Sequence, residues 1–127
     1  MKSRNPKTPE SDLTRRGALA AVPEKNIAVI ETRQESGTVM LAYPVVFKPW
    51  VAALVRRFSP RAEDRPMRRL ALDELGTWVW DRLDGKRRVF EIIDDFSREQ
   101  DVLPSEAEAS VTRFLYELGK RGLIGLR

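Results

Sequence analysis

The chain has 127 residues, 42% of them hydrophobic and 33% charged, with a formal net charge of +4. That length and balance suit one small soluble domain with a heavily charged surface. It contains no cysteine and no histidine, which excludes disulfides, thiol nucleophiles, Cys/His zinc sites and any histidine general base.

Residues 1–25 carry six basic and three acidic side chains, interrupted by Pro6, Pro9, Gly17 and Pro23. They show no sustained apolar period and read as a flexible basic tail, with a short helical turn allowed over 13–22. The opening residues lack the apolar centre of a signal peptide, and no run reaches the ~20 apolar residues of a membrane span. A cytoplasmic location, without membrane insertion, is the expectation.

Two β-branched runs follow, NIAVIET and TVMLAYPV, separated by a polar stretch ending at Gly37. They predict a β-hairpin over 26–45, with Pro44 tolerated at the end of its second strand. In VFKPWVAALVRRF, Val51, Leu54, Val55 and Phe58 recur at helical spacing, and Pro49 suits a first turn. This amphipathic helix over 47–58 belongs to a basic insertion, 46–66, in which Pro60 and Pro66 bracket a charged loop. MRRLALD then alternates: Leu70 and Leu72 fall on one side, Arg69 and Ala71 on the other, as in a short strand.

Asp73 stands ready to cap a helix over 74–83, which Asp84-Gly85 would stop. On that helix Leu75, Trp78, Val79 and Leu83 share a face. Trp80 lies ~140° from Leu75 at ~100° per residue, a position suited to a wedge between layers. A second helix, RRVFEIIDDFSREQ, places Val89, Ile92, Ile93 and Phe96 inward. A third begins at Ser105, where Ser105 and Glu108 have the spacing of a capping box. Its apolar face is Val111, Phe114, Leu115 and Leu118, Gly122 stops it, and LIGLR supplies a last strand. The predicted fold is α+β: a small antiparallel sheet with a three-helix, winged helix-turn-helix-like unit, plus the inserted helix before the third strand.

Several of these segments together resemble the PqqD family. The resemblance lies in Leu72 to Gly76, Val79 with Trp80, Asp84 with Gly85, Arg88 to Ile92, and Arg121 to Leu123. It covers residues 67–126, and the hairpin in outline, so that 26–127 form the PqqD-like domain. The long tail and the 46–66 insertion depart from the compact family pattern.

What the resemblance implies is a non-enzymatic, chaperone-like module that binds a precursor peptide and presents it to a modifying enzyme, a radical SAM protein in the PQQ case. The leader peptide would add a strand to the sheet edge beside the third helix. No cofactor is implied. On this chain the peptide-binding candidates are Arg68, Arg69, Leu70 and Ala71 on the third strand, with Thr112 and Tyr116 on the third helix. Arg68 and Arg69 suit attraction of acidic leader residues, or equally solvated edge charges that discourage aggregation. Gly119, on the flank of Thr112 and Tyr116, would permit close backbone approach. Both a monomer and a homodimer fit the sequence.

The rival reading is a winged-helix nucleic-acid-binding protein with the third helix in the major groove. That helix offers Arg113 and Lys120, but also Glu106, Glu108 and Glu117. Duplex binding requires concentrated positive charge, so specific DNA binding is not expected. Asp94 and Asp95 are adjacent on a helix and cannot converge on one ligand. With no phosphate-binding loop either, neither metal nor catalysis is expected.

Overall fold

The computed structural model describes residues 9–45, Arg57 and 67–127, with residues 9–14 described by backbone alone. In chain order the elements are α1 (Pro9–Ala20), β1 (Pro23–Lys25), β2 (Ile30–Arg33), β3 (Val39–Pro44) and β4 (Met67–Ala71). There follow α2 (Glu74–Asp81), α3 (Val89–Glu99), α4 (Pro104–Lys120) and β5 (Ile124–Leu126). The fold is α+β, as expected. The predicted 47–58 helix and the 46–66 insertion lie, Arg57 apart, outside the described residues. The elements form two compact units, one from Asn26–Thr77, the other from the stretch ending at Lys25 together with Trp78–Arg127.

The Asn26–Thr77 unit is built on the hairpin. Gly37, at φ +90, takes the left-handed turn position, and the Gly37 amide donates to the Gln34 carbonyl at 2.9 Å. Glycine alone adopts that conformation without a Cβ penalty. β2 pairs with β3 and β3 with β4, both antiparallel, so β4 stands at one edge of the sheet. Alternation along β3 buries Val39, Leu41 and Tyr43. Past the end of β4 the Leu72 amide donates to the Val39 carbonyl at 2.9 Å. The Val39 amide itself donates to Thr77 Oγ1 at 3.0 Å, so the buried threonine hydroxyl satisfies a strand amide. Asp73 caps α2 as expected: its Oδ1 accepts the Gly76 amide at 2.7 Å.

On α2 the expected face needs correction. Val79 and Leu83 are buried, but Leu75 is 49% exposed and Trp80 is wholly buried. In an eight-residue helix the orientation follows the largest apolar area, and indole outweighs a leucine side chain. Trp78 takes a different role, at the half-buried margin. Its ring meets Phe96 edge-on with centroids 5.4 Å apart. The Arg82 guanidinium lies 3.9 Å from its centroid, and the indole N–H donates to Glu99 Oε1 at 3.1 Å.

The second unit is cored by α3 and α4. Val89, Ile92, Ile93 and Phe96 bury one face of α3, and Ala107, Val111, Leu115 and Leu118 one face of α4. At the start of α3 the Glu91 carboxylate accepts the Arg88 amide at 2.9 Å. Asp84 organises the turn before it, accepting the amides of Lys86 and Arg87, each at 2.9 Å. Those hydrogen bonds, Arg87's foremost, hold the Asp84 carboxyl below the usual carboxylate range.

The capping box expected at Ser105 does not form. Leu103 is the N-cap and Pro104 the first residue of α4, because proline lacks the amide that a first-turn position leaves unpaired. Glu108 turns instead to α1, where Arg15 donates two hydrogen bonds to it, at 2.6 and 2.8 Å. The Arg15 hydrogen bonds hold the Glu108 carboxyl below its ordinary value. At its far end α4 stops as foreseen. Gly122, at φ +76, and Leu123 return their amides to the Gly119 and Leu118 carbonyls, both at 3.0 Å, in a Schellman closure.

β1 was not foreseen. It pairs antiparallel with β5, Pro23 opposite Leu126 and Lys25 opposite Ile124. The helix before it, α1, extends the short turn expected there to twelve residues. Arg88 anchors the end of α1 by donating to the Ala20 carbonyl at 2.6 Å, and the Val89 amide donates to Ala21 at 2.9 Å.

Candidate functional site

β4 is exposed along nearly its whole length; only Leu70 is half-buried. Its register sets Arg68 opposite Tyr43, Arg69 opposite Ala42, Leu70 opposite Leu41 and Ala71 opposite Met40. The bond from the Leu72 amide to Val39 marks that pair as a hydrogen-bonding one. By antiparallel alternation Leu70 and Arg68 then turn their main-chain groups towards β3, while Ala71, Arg69 and Met67 turn theirs outward. Pro44 fits this pattern, since it faces Met67 at a position that needs no amide. Among the described residues no strand pairs with the outer edge of β4.

Thr112 and Tyr116 belong to the other unit, where both line a groove of about 770 Å³ beside α4. Tyr116 is 65% exposed, and the Thr112 hydroxyl is turned back on its own helix, donating to the Glu108 carbonyl at 2.6 Å. Gly119 lines the groove on the same flank. The predicted site residues therefore fall into two sets, four along one strand edge and two in one groove, each set in its own unit.

The sequence reading missed the opposite wall of the groove, Ile124, Gly125 and Leu126 of β5, together with Ala18 of α1. The available signal was slight: a three-residue strand has too little alternation to reveal which side it leaves open. Arg113 and Lys120 supply its charge. Lys120 lies 3.8 Å from Glu117 and 5.6 Å from the Tyr116 ring centroid.

Among the described residues no group of three or more acidic side chains is placed to hold a metal ion. No described helix is long and apolar enough to cross a membrane.

The elements make the chain α+β: a three-stranded antiparallel sheet in the Asn26–Thr77 unit, and α3, α4 and the β1–β5 pair in the other. Residues 66–124 match the family model for coenzyme PQQ synthesis protein D (PqqD). That span, from just before β4 to the first residue of β5, is consistent with a PqqD-like domain. No curated protein and no solved structure matches it.

Proposed function

We propose that this chain is a non-catalytic peptide-binding module that takes a precursor peptide as an added strand on β4 and presents it to a modifying enzyme. The PqqD match supports an accessory, peptide-binding role in PQQ-type biosynthesis, in which the enzyme would be a radical SAM protein. The observation that carries the reading is the outer edge of β4, along which residues 67, 69 and 71 direct their amides and carbonyls and no strand pairs among the described residues. An added strand satisfies such groups and gives affinity, while neighbouring side chains give selectivity. Arg68 and Arg69 favour acidic leader residues, and Leu70 and Ala71 offer short apolar contacts. A duplex-binding reading gains nothing, since Glu117 offsets Lys120 on the exposed side of α4.

The test is amide chemical-shift mapping with a precursor peptide encoded beside this chain. Shifts are expected at residues 67–72. Ala71→Pro removes an outward amide without breaking the ladder to β3, and should weaken binding at least tenfold, about the loss of one good main-chain hydrogen bond. Shifts confined to 46–66, or undiminished binding by Ala71→Pro, would show that β4 is not the docking edge.

A further inference from the structure

We propose a second docking site, separate from β4: the groove beside α4 accepts an extended, acidic and apolar peptide segment of a partner protein, laid along β5. The main chain of β5 makes this possible. Val22 and Arg127 exchange both main-chain hydrogen bonds, at 3.0 and 2.9 Å, so Gly125 is the next residue to bond across to β1. Ile124 and Leu126 then direct their amides and carbonyls away from β1, and Pro23, opposite Leu126, has no amide to give. All three β5 residues line the groove. Gly125 lends only backbone to that wall, so a strand can approach it closely.

The remaining surfaces define the chemistry of the occupant. Leu126 is 56% exposed and Tyr116 more so, which leaves apolar area for alternate side chains of an extended peptide. Arg113 lines the groove and makes no ion pair among the described residues, and Lys120 adds a second cation partly offset by Glu117. Glu117 is not among the lining residues. The charge is therefore complementary to an acidic segment. The chain's own undescribed stretches are poor occupants: residues 1–8 hold three basic and no acidic side chains, and 46–66 five basic and two acidic. No residue of β4 borders the groove.

Gly119 provides a clean test. It sits in α4 with ordinary helical backbone, and a Cβ added there meets nothing within 4 Å. Gly119→Leu should fill the groove while leaving the helix as stable or more so, because leucine is the better helix former. Fluorescence anisotropy with the full chain would use a labelled, end-capped peptide of alternating leucine and glutamate, and a counterpart with lysine in place of glutamate. The glutamate peptide is expected to bind at least about tenfold more tightly than the lysine one, with a difference that shrinks in high salt. Gly119→Leu and Arg113→Glu should each weaken it several-fold without lowering the thermal midpoint, and Ala71→Pro should leave it unchanged. Absence of binding, equal binding of the two peptides, or full binding by Gly119→Leu overturns the proposal. Dodecanoate binding that Gly119→Leu abolishes, with no binding of the glutamate peptide, would assign the groove to small anionic amphiphiles instead. Self-association abolished by Gly119→Leu would assign it to a second copy of the chain.

Discussion

Replacing Trp80 by phenylalanine should cost far less than its complete burial suggests. The side chain is inaccessible to solvent, and its Nε1 has no hydrogen-bond partner among the described residues. Phenylalanine buries ~40 Å² less, worth about 1 kcal/mol at ~25 cal/mol per Å². A residual void adds up to about 1 kcal/mol if the surroundings do not close on it. Against this, the substitution removes a buried, unpaired N–H whose desolvation costs about 1–3 kcal/mol. The contact of Lys25, 4.6 Å from the ring centroid, survives in part, since phenylalanine keeps a π face. These effects nearly cancel, and Trp80→Phe is expected to change stability by no more than about 1 kcal/mol. Trp80→Ala, which loses the ring altogether, should cost about 3–5 kcal/mol. Urea unfolding followed by far-ultraviolet circular dichroism measures both, provided the slopes agree. A loss for Trp80→Phe comparable to that for Trp80→Ala would refute the reasoning, because it would mean that the indole N–H is bonded in solution.

Asp73→Ala removes the cap on the Gly76 amide and should destabilise the chain by about 1 kcal/mol, with Asp73→Asn restoring most of it; urea midpoints distinguish the two. Glu108, held by Arg15, should titrate below the ordinary glutamate value of 4.5. Its folded-state value is depressed, so the ion pair's contribution is fully present above pH 4.5 and is lost as pH falls through the lower folded value. Both side chains are partly exposed, which keeps that contribution under about 1 kcal/mol. Carboxyl carbon shifts followed from neutral to acid pH would read this directly, and Arg15→Ala should bring Glu108 back to its ordinary value.

Where the sequence was legible, local chemistry and tertiary demand agreed. The hairpin followed from two β-branched runs around Gly37, and β4 from the alternation at Leu70 and Leu72. The buried faces of α3 and α4 repeat with helical period over three turns or more, so Val89 to Phe96 and Val111, Leu115 and Leu118 could be assigned, whereas Phe114, expected on the same face, is only half-buried. Ser105 misled because a capping pattern is one local preference among several, and Pro104 claimed the first helical position. Leu75 misled because two turns of α2 cannot establish a stripe when five of eight residues are large or β-branched. β1 was illegible for another reason: Pro-Glu-Lys has no pattern of its own, and its partner lies ~100 residues away. The same holds for the site. Thr112 and Tyr116 were within reach as a helix flank, whereas the β5 wall opposite them exists only because that distant pairing forms.

The β1–β5 pairing also imposes an order of events during synthesis. Residues 23–25 leave the ribosome ~100 residues before Leu126 does, an interval of roughly 5–20 s at ~5–20 residues per second. The Asn26–Thr77 unit, continuous in sequence, can fold within that interval. The other unit has to wait, with its first strand unpaired. Glu24 and Lys25 give that waiting strand charge, and Pro23 denies it a donor, two features that discourage pairing with a foreign edge. A nascent chain stalled before Gly122 should therefore carry a folded hairpin sheet and an N-terminal strand still open to solvent.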